Sequence, residues 1–313
     1  MTWVSLISYI RTDDTRSGAS PLFWSVCRPL TLLTSAFWIR QRRENCGTVL
    51  GMRILVSIKH VPDVMSERRI ENGRLVRGED DTLNELDENA IEAAVAAVEE
   101  FGGEVIAVTM GPQDAEDSAM LALQKGADRA IVVTDDRLAG SDVIGTAQVL
   151  SAVARKLAQE EPIDLFITGM ASLDGMTSMV PAAVAAGLGW PYISLASELS
   201  ITEDAVQALR HADGFTDTLR CAFPAVVSVT DQVNEPRFPN FKDMRAARKK
   251  PLDVWSLDDL LDVADPNEMV IGKQGAGTMV LEASEQSERA GGEVVSGVGG
   301  GVKLAEYIEK VLK

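Results

Sequence analysis

Four strand-length apolar runs, each followed by a helical window, constrain this chain more than any other feature. They read RILVSIK (53–59), EVIAVTMG (104–111), RAIVVTD (129–135) and IDLFITG (163–169). A run that is apolar throughout, not at every second position, suits a strand buried on both faces. Between the first two lies ELDENAIEAAVAAVEEFGG, whose Ala90, Ile91, Ala94, Val95 and Val98 share one helical face. Asn84 and Asp87 offer N-cap chemistry at its start and Gly102 supplies a stop. Residues 112–125, 141–160 and 175–187 read as further helices, and Asn72-Gly73, between Ile70 and Leu75, as a hairpin turn. Strands spaced by helices predict an α/β chain with a doubly wound, mostly parallel sheet covered on both faces.

Beyond Trp190 the period changes. SELSITED (197–204), AVQALRHAD (205–213), DTLRCAF (217–223) and PAVVSVTD (224–231) read as shorter strands that extend the sheet with antiparallel members. Residues 52–255 are thus expected to form one α/β domain. Residues 256–313 are expected to form a C-terminal arm: a short acidic helix at 256–263, a Gly-rich linker, and a final helix with an apolar stripe of Val302, Leu304, Ile308, Val311 and Leu312.

The first 51 residues differ from the rest. Six arginines against three acidic residues put +3 there and leave −20 on residues 52–313, out of a total of −17. They hold Trp3, Trp24 and Trp38, show no strand or helix period, and loosely resemble an organelle transit peptide. We expect Met52 to be the natural start and residues 1–51 to be a disordered or non-native extension. Elsewhere no apolar run reaches the roughly 18 residues that a bilayer span needs. The acidic balance argues against nucleic acid, whose phosphates need lysine and arginine. Three scattered cysteines, Cys27, Cys46 and Cys221, fit a reducing compartment and neither a disulfide framework nor a metal cluster.

In an open parallel sheet, ligands bind beyond the carboxyl ends of the strands. Those ends here are Ser57–Lys59, Met110-Gly111 and Thr168-Gly169. The last opens TGMASLDGMTSMVPA (168–182), a strand-to-helix loop through Gly169 and Gly175. Backbone N–H groups at such a helix start suit a phosphate, with Thr177 and Ser178 as added donors; an ordinary β–α connection reads equally well. GVGGGV (297–302) reads as linker and GKQGAGT (272–278) lacks the order of a P-loop. His60 lies on the ligand edge as a candidate lining residue. No nucleophile or tuned acid–base pair stands out.

One segment runs against the acidic body. NEPRFPNFKDMRAARKKP (234–251) clusters Arg237, Lys242, Arg245, Arg248, Lys249 and Lys250 around Phe238 and Phe241. A partner protein, a nucleic acid, a membrane and a solvated surface all suit such a stretch.

Seven segments in order resemble the beta subunit of electron-transfer flavoprotein: RILVSIKHVPD from Met52 on, LNELDENAIEAA, VIAVTMGP, QKGADRAI, DLFITGMASLDG, HADGFTDTLRCAFPAVVSVTD and NEPRFPNFKDMRAARKK. The resemblance is close over residues 52–255 and loose beyond. It implies a Rossmann-like fold of the adenine-nucleotide-binding type and an electron carrier subunit, not an enzyme. It implies an alpha subunit partner with which a redox-active FAD is shared, and AMP or a second FAD in the beta subunit itself. By position that nucleotide would meet Ser57, Asn84, Asp87, Met110, Gly169, Met170, Ala171, Ser172, Leu173, Asp174, Gly175, Met176, Thr177, Ser178, Met179 and Val180. Family members carry Thr-Gly-Gln near the end of this loop; here the residues are Val180-Pro181-Ala182, which removes a hydroxyl and one N–H. The resemblance also implies that the basic segment docks flavin dehydrogenases such as acyl-CoA dehydrogenases, with Phe241 as anchor and Phe238, Arg245, Arg248, Lys249 and Lys250 beside it. Electrons would pass on to an acceptor such as a quinone oxidoreductase. The implied location is the cytoplasm of a bacterium, or the mitochondrial matrix of a eukaryote. The competing reading is a stand-alone, stress-type α/β protein that binds adenine nucleotides.

Overall fold

The computed structural model describes residues 8–13, 51–66, 70–71, 74–78, 80–282, 294–297 and 299–312. The chain falls into two compact units, one of residues 1–67 and 77–279, the other of residues 68–76 and 280–313. The strands in order are β1 (Ser8–Asp13), β2 (Met52–Ser57), β3 (His60–Pro62), β4 (Ile70–Glu71), β5 (Arg74–Leu75), β6 (Asp81–Leu83), β7 (Gly103–Met110) and β8 (Arg129–Val133). They continue with β9 (Leu165–Gly169), β10 (Tyr192–Ala196), β11 (Glu198–Ile201), β12 (Ala205–Ala212), β13 (Phe215–Ala222), β14 (Ala225–Val229) and β15 (Leu252–Trp255). The helices are α1 (Glu85–Phe101), α2 (Glu116–Gln124), α3 (Val143–Glu160), α4 (Val180–Leu188), α5 (Phe241–Ala247), α6 (Gly272–Gly275) and α7 (Gly300–Leu312).

The first unit is built on a seven-stranded sheet of order β10-β14-β9-β2-β7-β8-β15. Every pairing in it is parallel. The continuous apolar runs follow from burial on both faces. Ile54 and Val56 of β2, Val105 and Ala107 of β7, and Leu165 and Ile167 of β9 join one core, packed with Ile91 and Val95 of α1 and Leu123 of α2. The alternate residues Leu55, Ile106, Val108 and Phe166 join a second core under Val149, Val153 and Leu157 of α3 and Val184 of α4. The chain steps from β2 outward to β7 and β8, then returns to β9 on the other side of β2. That reversal between β2 and β9 is the topological switch point, where a sheet of this kind opens a crevice.

Two expectations change in detail. PAVVSVTD supplies β14, a fully buried parallel strand between β9 and β10, and not an antiparallel addition. Its AVVSV run has the same two-sided apolar character as the earlier strands. The antiparallel strands form their own sheet, of order β1-β13-β12-β11. The helix expected over 175–187 starts only at Val180. Met176 and Ser178 hold left-handed φ values of 48° and 52°, which a right-handed helix does not admit.

In the second unit β4 and β5 pair antiparallel, Ile70 opposite Leu75 and Glu71 opposite Arg74. This leaves two residues for the connection; the expected Asn72-Gly73 turn itself lies outside the described residues. So do most of the N-terminal extension and residues 283–293 of the Gly-rich linker. Helix α7 buries none of its residues, so its apolar stripe stays exposed. Among the described residues, no helix is long and apolar enough to cross a membrane.

Phe166 is fully buried on the central strand β9. Phe166→Ala is expected to cost about 3–5 kcal/mol, read as a lower urea midpoint at unchanged denaturant slope.

Candidate functional site

The carboxyl ends of β2 and β9 are tied together by the first turn of α1. Asp87 is buried, and its Oδ2 accepts the Lys59 N–H at 2.8 Å, just past the end of β2. The same carboxylate lies against the backbone of Gly169, at the end of β9, which helps to hold its pKa down. A Cβ on Gly169 would lie 2.4 Å from Asp87 Oδ1 and 2.6 Å from the Leu86 carbonyl, so this contact requires glycine. Asn84, fully buried, completes the tie. Its own N–H reaches the Lys59 carbonyl at 2.9 Å. Its amide donates to the Ala171 carbonyl at 2.9 Å and accepts the Leu173 N–H at 3.0 Å. The sequence reading assigned both residues to helix capping or ligand contact; their side chains shape the loop.

The rest of the loop faces outward. Met170 to Asp174 are half-buried, Gly175 to Met179 exposed, and Val180, where α4 begins, half-buried. One backbone bond, from Met176 N–H to the Ser172 carbonyl at 2.8 Å, turns the chain. Ser57 ends β2, its register partners being Val108 of β7 and Thr168 of β9, and Met110 ends β7. The sequence-expected residues therefore line one edge of the sheet, centred on the switch point.

Two residues outside the expected set join them. Asp174, with a side chain only 5% exposed, accepts from Lys59 Nζ at 2.9 Å and from the Arg77 guanidinium. Arg77 also donates to the His60 carbonyl at 3.1 Å, and Lys59 Nζ lies 3.4 Å from Ser172 Oγ. Burial would raise the Asp174 carboxyl, but the two cations hold it well below the usual range. Lys59 stood at a strand end in the sequence, but nothing there marked its pairing. Arg77 is brought in by the segment leading into β6, which no local pattern reveals. His60 is not a lining group: it is buried, with Nδ1 2.8 Å from Ser118 Oγ and Nε2 3.8 Å from Asp81.

The basic segment is anchored at its root and open at its tip. Asn89 of α1 donates to the Asn234 carbonyl at 3.0 Å, and Asn234 returns a bond to the Asn89 carbonyl at 3.0 Å. Arg237 chelates Glu92 (2.7 and 2.9 Å) and Glu99 (2.6 and 3.0 Å), both on α1. Buried Lys125 donates to the Arg237 carbonyl at 2.9 Å, and its Nζ stands 5.7 Å from the Phe238 ring centre. Lys250, expected on the docking surface, points inward: its Nζ reaches the Ala127 and Leu123 carbonyls at 2.6 and 3.2 Å, beyond the end of α2. Asn240 caps α5 through the N–H groups of Lys242 and Asp243. Phe238 and Phe241 are left 91% and 92% exposed, with Arg245, Arg248 and Lys249 exposed beside them. Next to this loop, Val95, Val98 and Val105 floor a shallow groove rimmed by Glu99 and Asp243.

Burial pushes the Asp87 carboxyl up to about 7, against the hydrogen bonds from Asn84, Lys59 and Gly169 that hold it down. A folded-state value above the unfolded one means that its contribution is full below the unfolded pKa and lost as pH rises through about 7. Wild type is therefore expected to lose on the order of 2 kcal/mol more than Asp87→Asn between roughly pH 5 and roughly pH 8. Urea titrations of both proteins at the two pH values measure this.

Residues 73–260 match the electron transfer flavoprotein domain model. The electron transfer flavoprotein beta subunit of Mycobacterium leprae is 36% identical over 264 residues, covering 82% of this chain and 97% of that protein. Protein FixA of Azotobacter vinelandii is 35% identical, covering 76% and 86%. The beta subunit of Clostridium acetobutylicum is 29% identical, covering 78% and 92%. On this match over more than half of its length, and on relatives of 36% identity, the chain belongs to the electron transfer flavoprotein family.

Proposed function

We propose that this chain is the beta subunit of a heterodimeric electron carrier. In this reading an alpha subunit supplies most contacts to a shared FAD, which provides the redox chemistry when bound. The beta chain contributes scaffold and dock. The observation that carries the reading is the loop of residues 234–250. Two phenylalanines more than nine-tenths exposed would be costly ornaments on a solvated surface, yet the loop beneath them is fixed by a chelated arginine and by the amines of buried Lys125 and half-buried Lys250. Rigid aromatic anchors with exposed cations beside them suit an apolar pocket with an acidic rim on a flavin dehydrogenase, of which acyl-CoA dehydrogenases are the expected example. The cations would steer encounter over about 8 Å at physiological salt, which favours rapid and short-lived complexes. Electrons would leave to an acceptor such as a quinone oxidoreductase, with the carrier in the bacterial cytoplasm.

The crevice at the switch point is assigned to an adenine nucleotide, AMP or a second FAD. Two features support this. The crevice lies where open parallel sheets receive nucleotides, and the turn from Gly175 to Met179 is exposed. In this role Asn84 and Asp87 hold the loop in shape, while Ser57, Met110 and residues 169–180 offer the contact surface. Residues 1–51 would be an extension that adds the one strand β1 to the sheet of β11–β13, and the tail beyond the domain an arm completed by the alpha subunit. The alternative, a stand-alone nucleotide-binding protein, predicts a colourless monomer and gives the phenylalanines no task.

Co-expression with an alpha subunit is expected to yield a yellow heterodimer, seen by absorbance and size-exclusion chromatography. Phe241→Ala is expected to leave its flavin content unchanged but to weaken coupling to a partner dehydrogenase by about 2 kcal/mol, roughly 30-fold in second-order rate. Stopped-flow flavin reduction reads this directly, and an unaltered rate removes the loop from the mechanism.

A further inference from the structure

At the mouth of the crevice, one carboxylate serves two cations. Asp174 is paired with Lys59 Nζ at 2.9 Å and with Arg77, yet can balance only one unit of their charge. The surplus is accessible, because the Lys59 and Arg77 side chains remain 40% and 33% exposed. Both are also held in place, Lys59 toward Ser172 Oγ and Arg77 on the His60 carbonyl. Among the described acids nearby, Asp87 accepts the Lys59 backbone N–H and also feels the Lys59 charge, and Asp81 accepts the Gly78 N–H at 3.0 Å, but only Asp174 forms an ion pair with either side chain. In a chain whose residues 52–313 carry −20, two half-exposed cations that share one ion-paired carboxylate at a ligand edge suit an anion. The start of α4 is a poor substitute. Pro181 has no N–H to offer there, Val180 has no hydroxyl, and Met179 makes no side-chain cap.

We propose that Lys59 and Arg77 form the phosphate seat of the crevice, with Asp174 as the residue that positions them. The ligand is then a phosphorylated adenosine gripped by side-chain charge, not by hydroxyls and helix N–H groups. This rests on the nucleotide reading above and adds to it which residues hold the anionic end. Binding is charge-assisted and partly exposed, so it weakens with salt.

Calorimetric titration of the nucleotide-stripped heterodimer with AMP and with adenosine tests the seat. Wild type is expected to favour AMP over adenosine by about tenfold or more at low salt, and Arg77→Gln and Lys59→Gln to cut that preference to a few-fold without weakening adenosine. Asp174→Asn, which releases both cations, is expected to raise the preference, a sign that mere misfolding cannot produce. If AMP binds tightly and its preference is the same in all three variants, the seat is wrong and the nucleotide reading stands. If the stripped wild-type heterodimer takes neither AMP nor adenosine, both are overturned.

Discussion

The crevice depends on a single buried carboxylate. A doubly wound sheet splits where its chain reverses, and something has to keep the two strand ends from drifting apart. Here Asp87 spans the split, accepting one N–H from beyond β2 and lying against the Gly169 backbone at the end of β9. The Lys59 amide is thereby satisfied inside the protein, where leaving it unpaired costs about 1–3 kcal/mol. Asn84, one turn earlier, fixes the two residues that follow in the loop. The cost is a carboxyl group in a dry place, where burial pushes its pKa up to about 7.

Charge is sorted by direction. The basic residues of the 234–250 segment divide into those that hold the segment and those that show themselves. Arg237 and Lys250 are engaged with carboxylates and carbonyls, whereas Lys242, Arg245, Arg248 and Lys249 are exposed. Counting charges in the sequence lumps the two groups together. The same holds at the crevice, where Asp174 looks like one more acid in an acidic chain until two cations are seen to share it.

What could be read from the sequence was whatever has a local period or a local chemistry. RILVSIK and IDLFITG declare two-sided burial, and the windows between them declare helices, so the sheet type followed. The strand ends named from that reading are those that meet at the switch point. PAVVSVTD was misplaced because a buried strand near a chain of short hairpins carries no mark of its partner; pairing with β9 and β10 is a long-range fact. The helix start was set too early because Gly175 looks like an opening residue, while the left-handed backbone at Met176 and Ser178 is invisible in one-letter code. Arg77 was missed for a third reason. Its partner Asp174 lies 97 residues away, and no pattern spans that distance.

Helix α1 touches both halves of this account. Its first turn carries Asp87, beneath the crevice, and its later turns carry Asn89, Glu92 and Glu99, which hold the root of the aromatic loop. At 1.5 Å per residue the span from Asp87 to Glu99 is about 18 Å of continuous hydrogen-bonded rod. It acts as a gauge bar: the spacing between the crevice and the exposed aromatic tip is set by one stiff element. A shift at the crevice end of such a bar is therefore carried to the root of the loop as a rigid displacement, and is not absorbed along the way.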